Sequence, residues 1–376
     1  MAYTDIIESP QGAYLTISGK SYLNLCSNNY LGFAGDERLK RAVVEAVEKF
    51  GVGTASVRAL VGTNELHVEL ERLLAEFKGT EDAVVLTGGY LANMAAVTTT
   101  VGKDDVVVSD ELNHASIIDA VRLSGVQTKF IYKHADMDDL RRQLPEIVKA
   151  GEGKTILFIT DGVFSMDGDC APLAELVSIV EECGGVLMVD DAHGEGVLGK
   201  SGRGIVDETG LHGKVDIEVG TLSKAFGVMG GFICGSHERI GKIRTSGRQF
   251  LFTNALSIPD TAALIAGVKI LMSSDELVVK LWENTRYMKS ALEEGGCDIG
   301  HSTTPIIPLM IGDEAVAKAC ARDAMELGVM ATPIVFPMVK EGTARLRIQP
   351  SAVHTQADLE KGVKILIGVL QANGVL

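Results

Sequence analysis

The residues with most chemical promise lie in Gly220-Thr221-Leu222-Ser223-Lys224-Ala225-Phe226-Gly227, with Gly230-Gly231-Phe232 just beyond. A lysine is set among small and hydroxyl residues, bounded by glycines, after a stretch at 216–219 that reads as a short strand. An ammonium in so apolar and tight a turn is costly unless it is paired or neutral. A covalent bond to a carbonyl cofactor neutralises it, because a lysine amine forms a Schiff base with an aldehyde. Thr221 and Ser223 would then stand ready for a cofactor phosphate. A surface lysine after a strand fits these residues equally well, so the decision rests on what else the chain brings to the same place.

Three more polar runs follow apolar ones: Ser109-Asp110-Glu111-Leu112-Asn113-His114-Ala115-Ser116, residues 160–169 with Asp161, Ser165 and Asp167, and Asp190-Asp191-Ala192-His193-Gly194. A fourth, Thr87-Gly88-Gly89-Tyr90, joins an apolar run to the helical Leu91-Ala92-Asn93-Met94. Free backbone N–H groups at such a helix start suit a phosphate. In open α/β sheets, ligands bind beyond the carboxyl ends of the strands. One Asp or His there reads as a cap. Four strands ending this way, with Lys224 after a fifth, read as a functional constellation.

Residues 194–201, Gly-Glu-Gly-Val-Leu-Gly-Lys-Ser, also satisfy the phosphate-loop pattern with a strand upstream. That pattern needs a helix starting at its Lys-Ser. Gly202, Arg203 and Gly204 follow instead, which argues against a nucleotide site.

The elements that must position these groups are short and apolar. Strand candidates at 83–86, 105–108, 155–160, 186–190 and 216–219 alternate with helical patterns, which implies an α/β fold with a mostly parallel sheet covered on both faces. Upstream, 12–17 and 21–25 flank Ser18-Gly19-Lys20 as a hairpin. Asp36 should cap a helix carrying Leu39, Val43, Val47 and Phe50 that stops at Gly51. A glycine-rich loop with Arg58 precedes a second helix bearing Leu66, Leu70, Leu73, Leu74 and Phe77. Past about residue 256 the pattern becomes that of a smaller α+β unit. The expected division is an N-terminal segment 1–35, a large cofactor-binding domain 36–255 and a small C-terminal domain 256–376.

Composition sets the outer limits. The 376 residues are 46% hydrophobic and 23% charged, with a formal net charge of -15. That balance disfavours nucleic acid or an anionic membrane as partner. Met1-Ala2-Tyr3-Thr4-Asp5 shows no signal-peptide pattern, and no apolar run approaches the roughly 18 residues of a membrane span. The six cysteines (26, 170, 183, 234, 297 and 320) form no Cys-x-x-Cys pair, which suits reduced thiols rather than disulfides or a metal centre. A cytoplasmic enzyme without a metal is the expectation.

These motifs resemble those of the α-oxoamine synthases, pyridoxal-5'-phosphate (PLP) dependent enzymes of the aspartate-aminotransferase fold, fold type I. The resemblance is carried by Ser27-Asn28-Asn29-Tyr30-Leu31-Gly32, Leu112-Asn113-His114-Ala115-Ser116, residues 161–169, Val189-Asp190-Asp191-Ala192-His193, Thr221-Leu222-Ser223-Lys224 and Ala344-Arg345-Leu346-Arg347, and it spans nearly the whole chain. It implies an enzyme that condenses an amino acid, commonly glycine, with an acyl-CoA, losing CoA and CO₂.

By the same resemblance Lys224 bonds to PLP and serves as general base, Asp190 faces the pyridine nitrogen, and His114 stacks on the ring. His193 and Ser165 lie near the phenolic oxygen, while Gly89, Tyr90, Thr221 and Ser223 hold the phosphate. Thr253 reaches the partner's phosphate in a homodimer, and Arg347 with Asn28 receives the substrate carboxylate. Residues 333–340 would form part of the acyl-side wall. Residues 8–13, 55–58 and 251–254 point to glycine C-acetyltransferase as the first choice of activity. Residues 160–165, 171–173 and 342–345 look equally like 8-amino-7-oxononanoate synthase, whose acyl donor is a pimeloyl thioester. An aminotransferase of the same fold is the more distant alternative; His114 and the 190–193 run set it apart.

Overall fold

The computed structural model describes residues 6–376, so the opening Met1-Ala2-Tyr3-Thr4-Asp5 read above lies outside it. Strands β1 (Tyr14–Ile17) and β2 (Lys20–Asn24) form the expected hairpin. Ser18 and Gly19 turn it at φ 49 and 70, the left-handed pair that a tight hairpin with right-handed twist demands.

The main sheet follows as β3 (Asp82–Leu86), β4 (Val106–Asp110), β5 (Thr128–Tyr132), β6 (Ile156–Asp161), β7 (Val186–Asp190), β8 (Ile217–Thr221) and β9 (Gly231–Gly235). Its order is β3-β9-β8-β7-β6-β4-β5. Only β9 runs against its neighbours, β3 and β8, so the other six strands share one direction. All five loops singled out in the sequence therefore leave from one edge.

β4, β6 and β8 are buried along their whole length, as strands covered on both faces must be. Side chains alternate between two cores: Phe158, Leu187 and Val189 pack with Leu70, Leu140, Leu176 and Leu264 on one face. Ile159, Met188 and Val219 pack with Ala92, Ala96, Ile117 and Ile240 on the other.

Two strands of this sheet escaped the sequence reading for physical reasons. β5 is an edge strand, exposed at alternate residues, in which Lys129 breaks the apolar run. β9 is only Gly-Phe-Ile-Cys-Gly, and its first residue serves close approach: a Cβ on Gly231 would come within 2.5 Å of the Gly88 carbonyl carbon and the Gly89 nitrogen.

Asp36 caps the helix Glu37–Phe50 by accepting the Arg38 N–H, and Gly51 ends it. At 194–201 no helix forms: Lys200–Gly202 is a single tight turn with Ser201 at φ 56. The Gly199 and Lys200 N–H groups donate to Glu208 and Asp207 at 2.8 and 2.6 Å. Carboxylates stand where a phosphate would have to sit, which removes the nucleotide reading.

The smaller unit contains β10 (Ile307–Gly312), β11 (Val329–Met330), β12 (Thr332–Ile334) and β13 (Ala344–Ile348). β10, β13 and β12 make an antiparallel sheet, while β11 extends the N-terminal hairpin. Leu23 and Leu25 share a core with Met288, Leu309, Leu346 and Leu366. The helix Ile258–Ser273, by contrast, packs into the large-sheet core through Leu264, Val268 and Leu271. From this packing we propose that the seam lies inside the helix Glu276–Glu294, between Leu281 and Met288, and that the N-terminal hairpin belongs with the C-terminal unit. No helix among the described residues is long and apolar enough to cross a membrane.

Candidate active site

β8 ends at Thr221, and the chain folds back so that the Leu222 N–H donates to Gly230 O at 3.0 Å and the Gly227 N–H to Lys224 O at 2.9 Å. Leu222, Ala225 and Phe226 are buried and pin this turn. Gly227, at φ 65, lies so close to Ala34 that an added Cβ would come within 2.5 Å of its nitrogen. Ser223 and Lys224 are left facing a cavity of about 380 Å³ at the carboxyl edge of the sheet. Burial lowers the Lys224 ammonium to a pKa of about 8; Asp190 and Asp161 resist this through space, and the Arg347 charge reinforces it. The structure thus holds an amine that is partly neutral at ordinary pH.

Asp190, at the end of β7, is nearly buried and held on both oxygens. Asn93 Nδ2 donates to one at 2.6 Å and the Ala192 N–H to the other at 3.1 Å. The same Asn93 amide reaches Ser116 Oγ at 2.8 Å. Asn93 was read in the sequence only as part of a helix; a polar residue one turn into an apolar helix was the available signal.

His114 caps the helix Ala115–Ser124, with Nδ1 accepting from the Ser116 N–H at 3.2 Å and meeting Ser116 Oγ at 2.7 Å. Its backbone N–H donates to Asp161 Oδ2 at 2.9 Å. Asn113 ties the same loop to β6 through Ile159 O and the Asp161 N–H at 2.9 and 2.8 Å. Burial, and then the Asp190 charge, raise the Asp161 carboxyl well above the usual range.

His193 is buried, and its Nδ1 lies 2.9 Å from Tyr30 OH. Gln349 Nε2 donates to that phenol oxygen at 2.6 Å. The pattern assigns the phenol proton to His193 Nδ1 and the imidazole's own proton to Nε2. Burial, then the Lys224, Arg347 and His114 charges, depress its pKa well below the ordinary value, so the ring is neutral. Tyr30 and Gln349 are the supports that sequence reasoning missed.

The helix Gly89–Thr100 starts at the cavity wall, and its first N–H groups have no intrahelical partner. A Cβ on Gly89 would lie 3.0 Å from Thr221 Oγ1, which in turn lies 3.0 Å from Ser223 Oγ. Gly89, Tyr90, Thr221, Ser223, Ser165, His114, Asp190, His193 and Lys224 all line one cavity.

Asn28 and Arg347 meet beside it: Arg347 Nη2 donates to Asn28 Oδ1 at 2.8 Å, while the buried Arg347 Nε has no partner among the described residues. Thr253 does not line its own chain's cavity; it sits next to the Val57–Asn254 bridge, near exposed Leu60, Val61 and Phe252.

One more group went unnoticed in the sequence. His134, just after β5, bonds Asp110 Oδ1 at 3.1 Å and Asp169 Oδ2 at 2.8 Å, and its ring meets Phe164 edge-on at 4.3 Å. It joins the loop of His114 to the loop of Ser165. Without β5 in the reading, nothing placed it there.

Comparison with known proteins bears on this geometry. Residues 20–366 match the aminotransferase class I and II family. The chain is 52% identical over 355 residues to 8-amino-7-oxononanoate synthase of Fervidobacterium nodosum, covering 94% of this chain and 90% of that one. It is 52% identical over 358 residues to the enzyme of the same name from Thermosipho melanesiensis, covering 95% and 90%. The solved serine palmitoyltransferase of Sphingomonas wittichii superposes with a TM-score of 0.95 at 31% identity, over 100% of this chain and 94% of that one. Another serine palmitoyltransferase structure, described as carrying PLP, matches with the same figures. An 8-amino-7-oxononanoate synthase from Francisella tularensis shares the fold, with a TM-score of 0.77 at 24% identity over 93% and 98%.

Proposed function

The chain belongs to the class I and II aminotransferase family and, within it, to the PLP-dependent α-oxoamine synthases, and on that premise we propose that it joins alanine to a pimeloyl thioester. The carrying observation is the 52% identity, over nearly the whole chain, to proteins named 8-amino-7-oxononanoate synthase. That name describes a nine-carbon chain with its ketone on carbon 7 and its amine on carbon 8. Seven carbons match a pimeloyl group, and carbons 8 and 9 match the α-carbon and methyl of alanine after loss of CO₂. Alanine and a seven-carbon diacid therefore replace the glycine and acetyl group first expected from the sequence. The thiol and CO₂ are the other products.

The residues fit PLP. The Gly89 wall, in tight contact with Thr221, makes with Thr221 and Ser223 a cup of N–H and hydroxyl donors for the phosphate. Asp190, fixed by Asn93 and Ala192, is the anion for a pyridinium nitrogen, and Lys224 is the amine that bonds the aldehyde. When bound, the cofactor supplies an electron sink for the bond-breaking at the substrate's α-carbon.

The chain's own groups do the rest. With a pKa of about 8, Lys224 both gives and takes a proton readily, as a base at the α-carbon must. Neutral His193 offers a donor rather than a second positive charge beside Lys224. Asn28 aims Arg347, the guanidinium assigned to the substrate carboxylate, by accepting from its Nη2. His114, fixed by Ser116 and Asp161, forms the wall over the cavity. The homodimer reading rests on Thr253 lying outside its own cavity, beside exposed Leu60, Val61 and Phe252.

A thiol-release assay with alanine or glycine against pimeloyl-, acetyl- and palmitoyl-CoA tests the assignment. Alanine with pimeloyl-CoA should be fastest. Preference for glycine with acetyl-CoA would restore the other synthase. Amino-group transfer to a 2-oxo acid, indifferent to every thioester, would make the protein an aminotransferase.

A further inference from the structure

Beside the cofactor cavity lies a second one of about 220 Å³, and Ser165 lines both. Half of its lining is apolar: Leu112 after β4, Phe164 and Met166 after β6, and Met338 and Val339 from the loop between β12 and β13. The His134 ring braces Phe164 from behind. Two cations also reach this cavity, and they differ sharply. Arg345 is buried and already satisfied, paired with Asp167 and donating to Met166 O at 3.2 Å and Thr343 O at 3.1 Å. Lys340 is exposed at the rim and makes no ion pair among the described residues. A slot with one apolar side, joined to the reaction centre at Ser165 and reaching an unpaired cation at its rim, in a chain of net charge -15, suits an apolar chain with an anionic end.

We propose that this slot receives the acyl chain and that Lys340 binds its terminal carboxylate, which makes Lys340 a determinant of acyl-donor specificity. The proposal rests on the acyl-thioester reading above and deepens it. Among the described residues Asp167 is the only acid lining the slot, and Arg345 occupies it. The phosphates of a thioester carrier share the chemistry that Lys340 recognises, and the test separates the two.

With saturating alanine, kcat/KM is measured for pimeloyl-CoA and for heptanoyl-CoA, which has the same chain length with a methyl in place of the carboxylate. Wild-type enzyme should prefer pimeloyl-CoA by about tenfold or more. Lys340→Met should bring the ratio close to one by raising KM for pimeloyl-CoA, and Lys340→Arg should keep most of the preference. The cofactor's visible absorption reports that each variant is folded and loaded. Equal losses on both thioesters would assign the lysine to carrier phosphates and overturn the proposal, as would an unchanged ratio. A wild-type enzyme that consumes neither thioester fails before any substitution is made, and so overturns the pimeloyl-thioester reading and this assignment together.

Discussion

Asp190 ends β7 and Asp191 follows it, and they turn to opposite sides of the sheet toward two lysines, one facing the cavity and one fully enclosed. On the cavity side, Lys224 meets Asp190 and Asp161 only through space, and burial brings it down to about 8. On the other side, Lys78 ends the helix Glu65–Lys78 fully enclosed. It lies 2.7 Å from Glu195, 3.0 Å from Glu218 and 3.7 Å from Asp191. Burial works against its charge there too, but the three carboxylates more than offset this and hold it well above the ordinary lysine value. Asp191 itself is pushed up to about 7, by burial first. The difference teaches what makes a buried lysine reactive: contact partners fix an ammonium, and their withdrawal releases an amine.

The largest effect should come from breaking the reactive side. Lys224→Ala removes both the amine that bonds the cofactor and the base, so activity should fall by about 10⁴-fold or more while the protein stays folded. Normal turnover by this variant would sink the assignment. The structural side should respond in stability instead. Lys78→Met leaves Glu195, Glu218 and Asp191 buried without their cation, at a cost of about 3–5 kcal/mol, read by urea unfolding. A Lys78→Met protein as stable as wild type would show the two lysines to be alike after all.

How much of this contrast was visible in the sequence depends on where each group sits. Lys224 and Asp190 were legible only together: each alone fits a surface lysine or a cap, but four polar strand ends with a lysine after a fifth read as one site. Lys78 was not. A basic residue in the last turn of an amphipathic helix reads as a solvated complement to the helix dipole, and its three acids come from 191, 195 and 218. Glu195 lay in full view inside the false phosphate-loop pattern, where its inward pairing could not be read. The fold class followed from the alternation of apolar strands with helices, whereas β9 depends on pairing between distant residues. His134 and Gln349 were silent for the same reason: each acts through partners more than twenty residues away.

Histidines repeat the contrast on a smaller scale. His193 is held neutral, while Asp110 and Asp169, working against burial, raise His134 to about 10. A raised folded value means that the stability His134 adds is full below its unfolded value near 6.5 and is lost as pH rises through about 10. His134→Gln should therefore cost about 2 kcal/mol at pH 7. The wild-type and variant melting temperatures should converge above pH 10. Parallel curves over that range would mean the imidazole is not charged at neutral pH.

The finest test returns to Lys224 and asks whether its neighbours act as described. An amine attacks an aldehyde only when unprotonated, so the rate at which stripped protein regains its visible band with added PLP reports the lysine's titration. That rate should climb about tenfold per pH unit at low pH and level off near 8, instead of rising on toward the 10.5 of an ordinary lysine. Asp190 is the largest influence favouring the charged form, so Asp190→Asn should move the plateau to lower pH, whatever it does to turnover. A plateau that stays put would mean that Asp190 does not act on Lys224 across the cavity. A plateau near 10.5 in the wild type would make Lys224 an ordinary lysine that burial does not perturb, and the distinction between the two faces of β7 would fail.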